Sequence, residues 1–175
     1  MIKADTAGIG NLARRLQAVA QDAPRVFAQA ASSVARASKT EAKREITAIY
    51  AITQKRVDRG LRVKTGDDYS VETTGKGRRL TLRSFGGRLR KNGDYSAAIL
   101  RGRRQVFKGV FMPAKFGDLP FRRIGKSRMP IEVLRGASVA EMLTYREVKD
   151  RFIVRQAIRA RAELTRRIFR ELDKR

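Results

Sequence analysis

The chain has 175 residues, with 41 Lys or Arg against 17 Asp or Glu and a formal net charge of +24. A 42% apolar fraction separates it from chains too polar to bury a core, while the lack of His and Cys excludes disulfides, thiolate chemistry, the usual zinc ligand sets and His-based triads. The expected fold class is α+β over a single domain, 1–175, with a helical N-terminal part at 1–60, a β-rich part at 69–133 and a helical C-terminal part at 138–175.

The opening MIKADTAGIGNLARRLQ lacks the apolar core of a signal peptide, and no apolar run reaches the roughly 18 residues of a membrane span. A soluble protein made in the cytoplasm is expected. Ile9, Leu12, Leu16 and Val19 or Ala20 fall on one helical stripe, which Asp22 and Pro24 interrupt. Asp22 is placed to cap a second helix with Pro24 in its first turn. That helix carries Phe27, Ala30, Val34, Ala37, Ala42, Ile46 and Ile49 on its apolar face, and its small residues suit close packing. Thr53 caps a short turn, Gln54 to Arg59, after which Gly60 and VKTGDD read as a loop.

After Asp68 the pattern turns to short β-branched and aromatic runs, YSVETT, RRLTLRSF, YSAAIL and RQVFKGVFM, separated by glycine-rich joints. These predict a central antiparallel sheet with basic loops. In RRLTLRSF, Leu80, Leu82 and Phe85 alternate with Arg79, Thr81 and Arg83, and the Asn-Gly pair in RLRKNGDYS marks an exposed turn. Helical periodicity returns at Ser138, a cap for Val139, Met142 and Leu143. The last helix follows, with Ile153, Ala157, Ala160, Leu164, Ile168 and Leu172 as its apolar stripe. Arg151, Arg155, Arg159, Arg166 and Arg170 occupy other faces; Glu147 and Asp150 lie early and Lys174 and Arg175 late, as the helix dipole favours.

Catalytic signals are sparse. Asp67, Asp68 and Glu72 could serve a metal-assisted nuclease, but neighbours in a glycine-edged turn read more simply as a solvated loop. Glu41-Ala42-Lys43 matches an E-x-K pattern, yet a helix places it on an exposed, ion-paired face beside Arg44 and Glu45. GKGRR, residues 75–79, lacks the remaining spacing of a phosphate-cradling P-loop. No enzyme activity, cofactor or metal is expected.

The charge is concentrated. Residues 76–128 hold sixteen Lys or Arg against two acids, Asp94 and Asp118, and sixteen less two gives +14. Mutual repulsion among so many cations favours an anionic partner, either DNA or an acidic protein surface. The candidate contacts are Arg78, Arg79, Arg83, Arg88, Arg90, Lys91, Arg101, Arg103, Arg104, Lys108, Arg122, Arg123, Lys126 and Arg128. No helix-turn-helix, zinc-finger or RNP-like signature accompanies them, so phosphate contact is expected without base reading.

Within FRRIGKSRMPIEV, residues 121–133, Gly125 permits a tight turn and Pro130 fixes the backbone after it. Two readings stand side by side: a stiff loop displaying Arg122, Arg123, Lys126 and Arg128, and a loop anchored to the core by Phe121, Ile124, Met129, Ile131 and Val133.

Residues 107–134, FKGVFMPAKFGDLPFRRIGKSRMPIEVL, resemble the carboxy-terminal hallmark of the phage and prophage minor tail protein Z family. Gly109 and Phe111 match its G-x-F element, and Phe121, Arg123, Gly125, Arg128, Pro130 and Ile131 match the aromatic, basic-Gly and basic-x-P-I elements. The helical APRVFAQA and the following ITQKRVDRGLRV agree in order, whereas GDLPF and RGASV depart from the pattern. The resemblance implies a non-enzymatic tail-completion or minor tail protein of the virion, located near the head-proximal end of a long non-contractile tail. Implied partners are other tail and neck proteins, further copies of the chain in a closed ring, most simply a hexamer, and DNA in the tail channel. A ring needs head-to-tail contacts, for which the alanine-rich helix at 26–48 offers a surface. The alternative is a free, non-specific nucleic-acid-binding protein using the same arginines.

Overall fold

The computed structural model describes residues 7–117 and 119–174. The side chains of Ile9, Leu12, Leu16 and Val19, together with Asp118 and Arg175, lie outside the described residues. The architecture is α+β: a long first helix, small antiparallel sheets in the middle and a long last helix packed against the first. Two compact units divide it, one holding 7–38, 63–72 and 153–174 of the described residues and the other Lys39–Arg62 and Thr73–Phe152.

The two expected N-terminal helices are one, α1 (Ala7–Ile49), with Pro24 inside it. A proline in a helix interior loses one backbone hydrogen bond and crowds the carbonyl four residues before it, a cost of about 3 kcal/mol. Tertiary contact outweighs that cost here. Asp22, instead of capping a new helix, lies 3.7 Å from Arg25, and Arg25 reaches Glu171 of α4 (Arg146–Asp173) at 3.4 Å. Four residues on, Arg167 donates to Gln29 at 2.8 Å, and four further on Ser33 bonds Glu163. Partners stepping by four in opposite directions identify antiparallel helices meeting along one i, i+4 face. Val26, Ala30, Ala31, Val34 and Ser38 are buried. Burial pushes the Glu163 carboxyl up, but hydrogen bonds from Arg166, Ser33 and Arg167 outweigh it and hold the group below its ordinary value.

The expected stripe of α4 holds only in its second half. Leu164, Ile168 and Leu172 are half-buried, whereas Ile153, Ala157 and Ala160 are exposed, as are Val154, Ile158 and Phe169. The other element of this unit is the turn between β1 (Leu61–Thr65) and β2 (Val71–Gly75), two paired strands. The sequence predicts a loop at VKTGDD; its first residues instead belong to β1, since Val63 and Thr65 are β-branched and pair readily. Tyr69 takes a positive φ of 62° in that turn and sets its ring 5.8 Å from Phe27.

The second unit holds the main core. Ala42, Ile46 and Tyr50 from the end of α1, Val57 of α2 (Gln54–Gly60), Leu61, Phe85, Val139 and Met142 of α3 (Val139–Thr144) and Val148 of α4 form one buried cluster. Ser138 caps α3 in a reciprocal box with Glu141, as the sequence predicts. Glu41 and Glu45, expected on an exposed face, are only 7% and 4% exposed, because they flank Ala42 and Ile46 on the core side of the helix. Lys43 faces Asp58 at 3.0 Å and Arg44 lies 3.7 Å from Glu41.

The central β region is three small sheets rather than one, β1-β2, β3-β4-β5 and β6-β7-β8. RRLTLRSF forms no strand of its own. Thr81 makes an isolated bridge to Arg135, and Leu82–Phe85 winds into a 3-10 turn that brings residues three apart to one side. Leu82 and Phe85 are thus both buried. The Asn-Gly turn falls as expected between β3 (Arg88–Leu89) and β4 (Tyr95–Leu100), with Gly93 at φ 85°. RQVFKGVFM splits into β5 (Arg103–Phe107) and β6 (Val110–Phe111) at Lys108-Gly109, where Gly109 has φ 67°. β7 (Phe121–Arg123) and β8 (Ile131–Val133) complete a hairpin.

Candidate functional site

All fourteen predicted contact cations are exposed in the second unit, yet the fold divides them. Six are committed to the structure. Arg101 donates from Nε to the carbonyl of Thr47 at 2.6 Å, and its backbone N–H donates to Ile49 at 2.8 Å. The last turn of α1 contains no basic residue of its own, so Arg101 supplies the cation and donors that its orphan carbonyls need. Arg104 donates to Ser96 Oγ at 3.1 Å and to the Gly86 carbonyl at 3.4 Å. Arg79 pairs with Glu141 at 2.8 Å, and Arg122 with Glu132, its direct neighbour in the β7-β8 register, at 2.8 Å. Arg123 lies over the Phe111 ring, 5.6 Å from its centre. Arg83 is also engaged within the fold.

Strand register collects most of the others at one edge. Tyr95 pairs with Phe107, which sets the β3-β4 loop (90–94) beside the Lys108-Gly109 turn. Val110 pairs with Arg122, and continuing that register brings Lys108 and Gly109 alongside the base of the β7-β8 tip, 124–130. Arg90, Lys91, Lys108, Lys126 and Arg128 therefore occupy one rim of hairpin ends, with Arg88 in the adjoining strand. Arg103 sits at the opposite end of β5, and Arg78 lies in the segment after β2.

The tip of residues 124–130 answers the question of display or anchoring. Phe121 is buried and packs 5.3 Å from Phe116 and 6.3 Å from Phe111, while Ile131 and Val133 are half-buried. Ile124 and Met129, expected to anchor the loop, are 63% and 64% exposed. The tip is closed by the Ile124 N–H to Pro130 carbonyl bond of 3.1 Å, by the Ser127 hydroxyl to the Met129 carbonyl and by a cis Met129–Pro130 bond. One buried aromatic thus holds a hairpin that presents both cations and apolar side chains.

Asp67 and Asp68 are exposed in the β1-β2 turn, and Glu72 is exposed on β2. Asp68 accepts from the Ser70 N–H at 3.1 Å, and hydrogen bonds from the Ser70 side chain and backbone hold its carboxyl below the usual value. That is a turn-closing role. Among the described residues no group of three or more carboxylates is arranged to hold a metal ion, and no helix is long and apolar enough to cross a membrane.

A recess of about 350 Å³ brings together cations that the sequence keeps apart: Arg56 and Arg59 of α2 with Lys76, Arg78 and Arg79 of the GKGRR segment. Its wall also carries Leu80, Thr81, Ser84 and Val139. Arg56, Arg59 and Lys76 were not among the predicted contacts. Nothing local singles them out; the Gly60 carbonyl accepting from the Lys76 N–H at 2.6 Å joins the two segments. No protein-family model, curated protein or solved structure matches the chain.

Proposed function

We propose that this chain is a non-enzymatic virion protein, a minor tail or tail-completion component acting where a phage tail meets the head. The observation that carries the reading is the way the motif positions Gly109, Phe111, Phe121, Arg123, Gly125, Pro130 and Ile131 fall together in the β6-β7-β8 sheet and its turns. Gly109 makes the turn into β6, Phe111 and Phe121 are register partners, and Gly125 and Pro130 lie in the tip that Ile131 closes opposite Arg123. These are the positions that resemble the minor tail protein Z family. Their hairpin adds Lys126 and Arg128 to the basic rim that Arg90, Lys91 and Lys108 share, a rim suited to DNA in a channel or to an acidic neighbour in the virion.

Ring assembly, with a hexamer as the simplest form, belongs to the same proposal. The alanine-rich face of 26–48, which the sequence offers for the subunit contact, is covered within the chain at Val26, Ala30, Ala31, Val34, Ala42 and Ile46. A second copy would therefore meet exposed apolar groups such as Val154, Ile158 and Phe169 of α4.

Deleting the coding segment from its phage and imaging the lysate tests the reading. Separate heads and tails, joined again when the purified chain is added, are expected; normal particles without the chain would refute it. The exposed rim also favours a second reading, a free binder of nucleic acid through phosphate contacts. Its mark is DNA binding by the isolated chain, with log K falling by about 0.9 per phosphate contact for each log unit of salt, and normal particle assembly in the deletion.

A further inference from the structure

We infer that the recess between α2 and the GKGRR segment is a discrete binding site for a phosphate group, separate from the hairpin rim and independent of the tail reading. Arg56, Arg59, Lys76, Arg78 and Arg79 line one cavity of about 350 Å³ to which no carboxylate contributes. Glu141, whose carboxyl the Ser138 backbone and Arg79 hold below the ordinary range, pairs with Arg79 at 2.8 Å and offsets that one cation, which leaves Arg56, Arg59, Lys76 and Arg78 with no carboxylate in the cavity wall. Like charges gathered in a concave, partly apolar wall repel more than the same charges spread over a surface, and a multiply charged anion removes that repulsion. Four of the five cations are arginines, whose planar forks match phosphate oxygens two at a time.

A second observation points the same way. Ser84 lines this recess, and its hydroxyl oxygen is shielded from water with no hydrogen-bond partner among the described residues. A buried hydroxyl without a partner is costly, and a rotation of the Ser84 side chain toward the recess would let it donate to a phosphate oxygen. Gly77, at φ 115° with open space around it, leaves the mouth of the recess free of side-chain bulk. GKGRR thus handles an anion without P-loop geometry, through side chains of its own and of α2.

The phosphate has two possible sources, a free polyphosphate and the backbone of a nucleic acid, and one titration separates them. The full chain is titrated with inorganic pyrophosphate at fixed ionic strength, with citrate as the carboxylate comparison and a short oligothymidylate as competitor. Saturable pyrophosphate binding is expected. R56Q/R59Q should weaken it by about tenfold, while R146Q/K149Q, exposed on α4 and equal in charge change, should weaken it less than about twofold. Ser84→Ala, which alters no charge, should cost about threefold. Displacement of pyrophosphate by the oligonucleotide assigns the site to a nucleic-acid backbone, and undiminished binding in its presence assigns it to a free phosphate compound. Equal losses in the two double variants, or citrate binding as tightly as pyrophosphate, would overturn the site. If a thermal melt finds R56Q/R59Q unfolded, R56K/R59K keeps the charge and removes the forks, and unchanged binding there would overturn it equally.

Discussion

Asp58 of α2 accepts from Lys43 at 3.0 Å and Lys39 at 3.2 Å, joining two turns of α1 to the next helix. Those two hydrogen bonds, Lys43 first, hold its carboxyl below the ordinary value. A depressed folded-state pKa stabilises the protein above the unfolded value, about 3.9, and the contribution is lost as pH falls through the folded one. Thermal melts of D58N should therefore show a lower Tm than the parent at neutral pH, with the two curves converging in acid. A gap that persists well below pH 3 would contradict the ion-pair account.

Arg101 gives the companion case at this scale. The sequence reads it as a contact for DNA or an acidic partner, because nothing in its neighbourhood reveals that it reaches the carbonyl of a residue 54 positions away. R101A should lower stability by about 1 kcal/mol in urea unfolding, more than its loss of one charge disturbs anion binding. Full stability with a large loss of binding would return it to the contact set. Side-chain charge is legible in a sequence, whereas the acceptor a long arginine finds depends on tertiary placement.

Among elements, the last helix and the strands β2, β4, β5 and β6 were legible because periodicity and β-branched runs are local signals, whereas β1, β3, β7 and β8, short or rich in charge, read as loops. Failures came where distant packing overrode a local rule. Pro24 and Asp22 read as a helix boundary, yet contact of Arg25 and Gln29 with Glu171 and Arg167 holds α1 through the proline. P24A should raise stability by about 1–3 kcal/mol, since it restores a backbone donor without disturbing a buried group. An unchanged or lower Tm would mean that the proline is needed where it stands. The RRLTLRSF run alternates like a strand but buries Leu82 and Phe85 by the three-residue period of a 3-10 turn, a difference too short to show in sequence.

Glycine carries information of another kind. Gly75 ends β2 so close to α3 that an added Cβ would stand 2.6 Å from the Ala140 Cα and 2.7 Å from its N. Both are backbone atoms, so neither can swing aside. G75A is expected to cost about 1–3 kcal/mol through displacement of α3, measurable by denaturant unfolding. A neutral substitution would show that the two elements are not packed as described.

At the scale of the whole molecule, the sequence reveals where charge accumulates but not how it is divided. The excess over residues 76–128 separates into cations that brace the fold, such as Arg104 and Arg122, and cations on the hairpin rim. Nothing in the sequence marks Arg56 and Arg59 as contacts, because their partners in the recess come from another part of the chain. The α+β class was legible from the order of periodicities, whereas the division of the β region into three sheets rests on long-range pairing. The same limit applied to the tip: Ile124 and Met129 look like anchors in sequence and stand exposed in space.

The most direct test of the tail-completion account is a cryo-EM comparison of intact virions with tails assembled without this chain. The account predicts a ring of density at the head-proximal end that disappears in the deletion, with Arg90, Lys91, Lys108, Lys126 and Arg128 facing the channel or an acidic neighbouring protein. Virion density identical with and without the chain would contradict it.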